Sequence, residues 1–166
     1  MMHRVTLLLG CNIGDREATL RRATDLLKER AGEIVGCSKI YSTRAWGFQS
    51  EELFANQAVV LHTELEPEPL LDSTQAIEQE LGRDRAKERE IKNLSGERYC
   101  SRTMDIDIMF YDDEVIATPR LTIPHPLMQE REFAIEPMCE LEGERLHPQL
   151  GKTLNELYNE LRNKQI

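Results

Sequence analysis

Apolar positions along the chain change period several times. Arg4–Leu9 is a short β-rich run that ends at Gly10. Between Asp15 and Ala31 the spacing becomes helical: Leu20, Ala23 and Leu27 fall on one face, Asp15 is placed to cap, and Gly32 stops the helix. Residues 33–43 alternate weakly and read as a strand, and Ala55–Thr63 reads as another, centred on Ala58-Val59-Val60-Leu61. Pro67 and Pro69 open a second helix whose Leu70, Thr74, Ile77 and Leu81 share a face, and Gly82 closes it. A strand over 102–111 follows, after which Asp112-Asp113 turns the chain into Glu114–Ala117. A terminal helix is expected around Leu154–Leu161.

The order β-α-β-β-α-β predicts an α+β, ferredoxin-like sandwich, in which an antiparallel sheet carries both helices on one face. Loops and the terminal helix form a C-terminal extension. Residues 83–101 are charged and poor in apolar side chains, which predicts a long exposed loop. The length of 166 residues suits one domain, 1–166. Net charge is 21 − 30 = −9, which speaks against a nucleic-acid binder but not against a small anion held by local arginines. The run Val5 to Leu9 is too short for a leader's apolar core, and no run reaches the ~18 residues of a membrane span. Cys11, Cys37, Cys100 and Cys139 have neither zinc-site nor disulfide-framework spacing. A cytoplasmic, monomeric protein with reduced thiols is therefore expected, without nucleic-acid or membrane partners.

Residues 102–110, RTMDIDIMF, place two carboxylates inside an apolar run. Side chains alternate on a strand, so Met104, Ile106 and Ile108 face the core while Asp105 and Asp107 face the open side together, roughly 7 Å apart. That separation suits oxygens gripping one divalent cation or bridging two. Magnesium fits, because it takes hard oxygen ligands and completes its shell with water and substrate phosphates. Two like charges at this distance also favour a cation between them. The plainer alternative is a sheet with one wet face and solvated aspartates. Arginines surround the pair in sequence: Arg102 just before it, Arg83, Arg85, Lys87, Arg89, Lys92 and Arg98 in the preceding loop, Arg120 and Arg131 after it. Guanidinium forks match phosphate oxygens, and metal plus arginine is what transfer from a nucleoside triphosphate requires. Asp84, Glu88, Glu90 and Glu97 partly balance the loop, so a solvated charge run is its plain alternative. Gly151-Lys152-Thr153 matches the end of a phosphate-loop motif, but Leu146 stands where that motif needs glycine, so Thr153 reads as a helix cap.

Arg102-Thr103-Met104-Asp105-Ile106-Asp107-Ile108, followed by Arg120-Leu121-Thr122-Ile123-Pro124-His125-Pro126, resembles the signature of the 6-hydroxymethyl-7,8-dihydropterin pyrophosphokinases of folate biosynthesis. Gly10-Cys11-Asn12, Phe54-Ala55-Asn56, Gln75 with Glu78, and Gly82-Arg83 extend the resemblance over about residues 3–140. It implies a ferredoxin-like enzyme that moves the β,γ-pyrophosphoryl group of ATP to the hydroxymethyl of the reduced pterin, leaving AMP. Asp105 and Asp107 would hold two magnesium ions, with Arg83 and Arg102 completing the catalytic set. The nucleotide would be met by Leu71, Gln75, Glu78, Arg85, Arg102, Ile108, Arg120, Thr122, His125 and Arg131. The pterin would be met by Gly10, Thr43, Arg44, Ala45, Trp46, Phe54, Asn56, Asp105 and Phe133, the two phenylalanines flanking the flat ring.

The chain departs from the family pattern in places. Cys11 replaces a serine, Thr43-Arg44-Ala45-Trp46-Gly47 replaces Thr-Pro-Pro-Leu-Gly, and Pro126 stands where an aromatic is common. Two other readings compete: a D-x-D nucleotide-sugar transferase, disfavoured by element order, and a non-catalytic ferredoxin-like nucleotide- or ligand-binding module, which leaves the aspartates and arginines without a reason. The 83–101 and 44–53 loops are expected to close over substrates.

Overall fold

The computed structural model describes residues 2–12, 15–44, 53–82, 104–126 and 128–164. In chain order these give β1 (His3–Cys11), α1 (Arg16–Arg30), β2 (Glu33–Cys37), β3 (Tyr41–Arg44), β4 (Leu53–Thr63), α2 (Pro67–Glu80) and β5 (Met104–Tyr111). The five-stranded sheet runs β2-β4-β1-β5, with β3 also on β4. Every pairing is antiparallel. This is the ferredoxin-like arrangement that the order of elements predicts.

The helices form where capping and apolar spacing coincide. Asp15 caps α1 by accepting Ala18 N–H at 3.2 Å, and Leu20, Ala23, Leu26 and Leu27 are buried. Pro67 occupies the first turn of α2, whose inward face carries Leu70, Thr74, Ile77 and Glu78. Gly82 ends it at φ +111°, a conformation a Cβ would oppose. Both helices cover Val5, Leu7 and Leu9 of β1, Val59 and Leu61 of β4, and Ile106 and Ile108 of β5.

Two expectations need correction, and a third, the turn at Asp112-Asp113, gains its detail. The strand read over 33–43 is interrupted at 38–40. Ser38 fills the break: its N–H donates to Ala58 O, its Oγ accepts Ala58 N–H, and its carbonyl accepts from Gln57 Nε2 at 2.8 Å. A side chain thus stands in for the ladder. The segment 114–117 does not extend the main sheet. Asp112 turns at φ +49°, and β6 (Ile116–Ala117) pairs with β7 (Thr122–Ile123) as a separate ribbon, closed by Thr118 and Leu121 bonding each other's backbone.

Finally, the second face of the sheet is not open along its length. Helices α3 (Glu132–Glu142) and α4 (Leu154–Asn163) lie on it. There Ala134, Ile135, Met138, Leu154 and Leu157 pack with Leu8, Ala58, Met109 and Phe110 in a second core. Helix α3 escapes pattern reading because Pro137 lies inside it, removing one N–H and crowding the preceding turn. Its buried apolar face keeps it helical. Helix α4 starts as expected: Thr153 and Glu156 form a reciprocal capping box.

Helix α3 is also fixed electrostatically. Buried Glu142 accepts Thr6 Oγ1 at 2.6 Å, Arg4 Nε at 3.0 Å and Arg145 Nη1 at 3.3 Å. Arg145 donates as well to Asp112 O, and its guanidinium lies 4.4 Å from the centre of the Phe110 ring.

Candidate functional site

Strand register assembles the site. On β5, Met104, Ile106 and Ile108 are buried while Asp105 and Asp107 are half-buried, as alternation predicts. Register places Gly10 opposite Asp105, Leu8 opposite Asp107, Asn56 opposite Gly10, and Tyr41 opposite Asn56. Directly paired residues share a face. Asp105, Gly10, Asn56 and Tyr41 therefore form one row on the second face, beside the apolar core that Leu8 and Ala58 begin. A register shift between Thr6 and Leu7 ends the alternation on β5, so Met109 and Phe110 both enter that core.

Gly10 sets how closely the row packs. A Cβ there would stand 3.2 Å from Asn56 Oδ1, so glycine lets the amide lie across β1. Asn56 is only 3% exposed. Phe54, two residues before it on the same face, is half-buried and pairs with Thr43, whose backbone continues β3.

The outer edge of β5 is held by two elements. Glu78 Oε2 accepts Ile106 N–H at 2.8 Å, and Met109 O accepts His125 N–H at 3.1 Å. The segment 121–125 thus runs beside the strand that carries the aspartates. Burial, and next the charge of Arg131, push the His125 imidazole below its ordinary pKa, so it stays neutral at pH 7. Arg131 precedes the first turn of α3, and its guanidinium lies 5.8 Å from the Phe133 ring.

Arg120 lies elsewhere, exposed on the α2 side. It donates to Glu68 at 3.0 Å, to Asp72 at 2.6 Å and to Gln75 at 3.5 Å. Leu71 packs against the core that holds Ile108, and Thr122 is exposed on β7. The residues expected near nucleotide thus divide between the two sides of β5, whereas Gly10, Phe54, Asn56, Asp105 and Asp107 share its second face. Arg83, Arg85, Arg102, Ala45 and Trp46 lie outside the described residues, as do the 83–101 loop and most of the 44–53 loop; Thr43 and Arg44 enter through backbone alone.

Sequence reading missed Tyr41 and Glu140. Tyr41 Oη donates to Glu140 Oε1 at 2.7 Å, and Lys39 N–H donates to Glu140 Oε2 at 3.0 Å. Lost hydration, then the bond to Glu140, push the Tyr41 phenol up to about 12. Strand spacing from Thr43 would have placed Tyr41 near the site, but its helical partner could not be foreseen without α3.

Among the described residues, no cluster of three or more His, Cys, Asp or Glu is arranged to hold a metal. Asp105 and Asp107 supply two hard carboxylates and nothing softer. Such a donor set fits a cation that keeps waters and draws its other ligands from substrate phosphate, as magnesium does.

Fold and site together define a small α+β domain that sets two carboxylates, a glycine, a buried amide and a phenylalanine on one face of its sheet. A model of the 7,8-dihydro-6-hydroxymethylpterin-pyrophosphokinase family matches residues 6–143. Three relatives bear the name 2-amino-4-hydroxy-6-hydroxymethyldihydropteridine pyrophosphokinase. That of Porphyromonas gingivalis is 38% identical over 87% of this chain and 94% of its own. That of Aquifex aeolicus is 38% identical over 93% and 90%, and that of Bacillus subtilis 42% identical over 81% and 75%. The fold also matches a crystal structure of Plasmodium falciparum HPPK-DHPS with pteroate, at TM-score 0.77 and 16% identity. That match covers 99% of this chain but only 43% of the solved one, so the chain spans less than half of that longer protein. The chain belongs to the 7,8-dihydro-6-hydroxymethylpterin-pyrophosphokinase family.

Proposed function

We propose that the chain, acting as one domain, transfers the β,γ-pyrophosphoryl group of ATP to the hydroxymethyl group of 6-hydroxymethyl-7,8-dihydropterin on the folate pathway. Membership of the family supports the reaction. The observation that carries the site is the half-buried pair Asp105 and Asp107, in register with Gly10 and Asn56. Asp105 and Asp107 would hold two magnesium ions, which when bound neutralise the polyphosphate and polarise the attacking hydroxyl. Asn56 offers its amide to the polar edge of the pterin, and Phe54 and Phe133 offer ring faces. Arg131 and neutral His125 supply hydrogen-bond donors on the phosphate side. The nucleotide would lie along the outer edge of β5, between the Leu71–Gln75 stretch of α2 and the 120–125 segment. Arg83, Arg85 and Arg102 would complete the phosphate contacts.

The direct test supplies ATP, magnesium and the hydroxymethyl pterin and identifies the nucleotide product. AMP formed in step with the pterin diphosphate is the expected result. ADP as the product, or no transfer at saturating magnesium, overturns the reading.

Gly10 gives a finer prediction. Gly10→Ala adds a methyl 3.2 Å from Asn56 Oδ1, so the amide must shift to make room and its hydrogen bonds with it. Pterin binding should weaken roughly tenfold, the effect of one misdirected hydrogen bond, while magnesium-free nucleotide affinity stays within about twofold. Calorimetric titration with each ligand separates the two.

A further inference from the structure

Glu78 sits where the pattern of α2 calls for an apolar side chain. Its neighbours on the buried face are Leu70, Thr74 and Ile77, and it is itself only 4% exposed. Burying a carboxylate is unfavourable unless it is strongly hydrogen-bonded. Glu78 Oε2 accepts the N–H of Ile106 at 2.8 Å. Ile106 is the residue between Asp105 and Asp107, and β5 is an outer strand of the sheet. On an outer strand, N–H groups that point away from the sheet find no neighbouring strand. Inward, β1 pairs with both aspartates through Gly10 and Leu8. Outward, Glu78 and the His125 N–H take the peptide groups of Ile106 and Met109.

We propose that Glu78 is a positioning residue for the divalent-cation site: it pins the peptide between the two aspartates from outside the sheet and so fixes the separation and direction of their carboxylates. The inference rests on the assignment of the cations to Asp105 and Asp107. Magnesium tolerates little departure from octahedral geometry, so a loosened strand weakens its site before it loses the fold. A residue that only fastened α2 to the sheet would alter stability and leave the cation untouched.

Three variants decide the matter: Glu78→Ala, Glu78→Leu, which keeps the volume filled, and Glu78→Gln, whose amide oxygen accepts the same N–H. Magnesium binding is followed by calorimetry in the presence of a non-hydrolysable ATP analogue, and Ile106 amide exchange by NMR. In Glu78→Leu and Glu78→Ala the half-saturating magnesium concentration should rise about tenfold and the Ile106 amide should exchange faster. In Glu78→Gln the magnesium midpoint should remain within about twofold of the original. An unchanged magnesium midpoint in folded Glu78→Leu overturns the proposal, as does an Ile106 amide that exchanges freely in the unaltered protein. Asp107→Asn, run beside them, separates the two layers. If it binds magnesium as tightly as the original, the cation assignment itself fails; if it loses magnesium while Glu78→Leu retains it, only the positioning role fails.

Discussion

Asp107→Asn should lower kcat/KM for pyrophosphoryl transfer at least about a hundredfold, a rise of ~2.7 kcal/mol in the barrier, while the protein stays folded. The side chain is half-buried, opposite Leu8 at the margin of the second core, and the amide keeps its size, so its replacement disturbs little packing. It removes one of the two hard anionic donors available to a cation, and no third acidic group, histidine or cysteine gathers with the pair among the described residues. Without magnesium, the melting temperature should change little, because the amide keeps the shape of the carboxylate and one of its accepting oxygens. With magnesium and nucleotide the original protein should gain stability and the variant little, since only a bound ligand adds to it. Steady-state assay of AMP release, beside thermal melts with and without magnesium, checks both halves. Full activity in Asp107→Asn would remove the carboxylate pair from the chemistry.

The largest effect on stability should come from Glu142→Ala. This carboxylate is 4% exposed at its side chain and gathers Thr6, Arg4 and Arg145. Its loss takes the paired carboxylate from Arg145, whose side chain is 12% exposed against the Phe110 ring, and leaves that guanidinium to Asp112. Breaking a buried pair on one side costs about 3 kcal/mol, or roughly 6–12 °C in melting temperature for a chain of this size. Glu142→Gln should fall between, because its amide oxygen still accepts from Thr6. Urea unfolding at neutral pH measures the difference. The effect on catalysis should be small by comparison, since the network ties the end of α3 to the start of β1, away from the aspartates.

Much of this fold is legible from local pattern. The apolar spacing of α1 and α2, Asp15 as a cap, Gly82 as a stop and the alternation on β5 each record a physical constraint that acts within a few residues. The same alternation is enough to send Asp105 and Asp107 to one face. Residues set by distant contacts are not legible in that way. Ser38 looks like an ordinary strand residue until Ala58 and Gln57 are seen to close on it. Pro137 argues against a helix, and only the second core explains why one forms. Glu78 breaks the apolar face of α2, and the pattern does not say why, because its partner is a backbone amide on a strand far along the chain. Gly10 reads as the end of a strand, and its part in seating Asn56 depends on the β1–β4 register.

The pairing of β1 with β5 bears on the order of biosynthesis. Of the sheet's five strands β1 is made first, and it waits, with one side uncovered, for a strand that emerges after two helices and three further strands. Both aspartates arrive on that late strand, opposite a glycine and a leucine already made. A nascent chain halted before β5 would hold Phe54 and Asn56 but neither Asp105 nor Asp107, and so, on the proposed assignment, no anionic grip for a nucleotide. On that assignment, affinity for the cation-bound triphosphate would date the moment at which the sheet is complete.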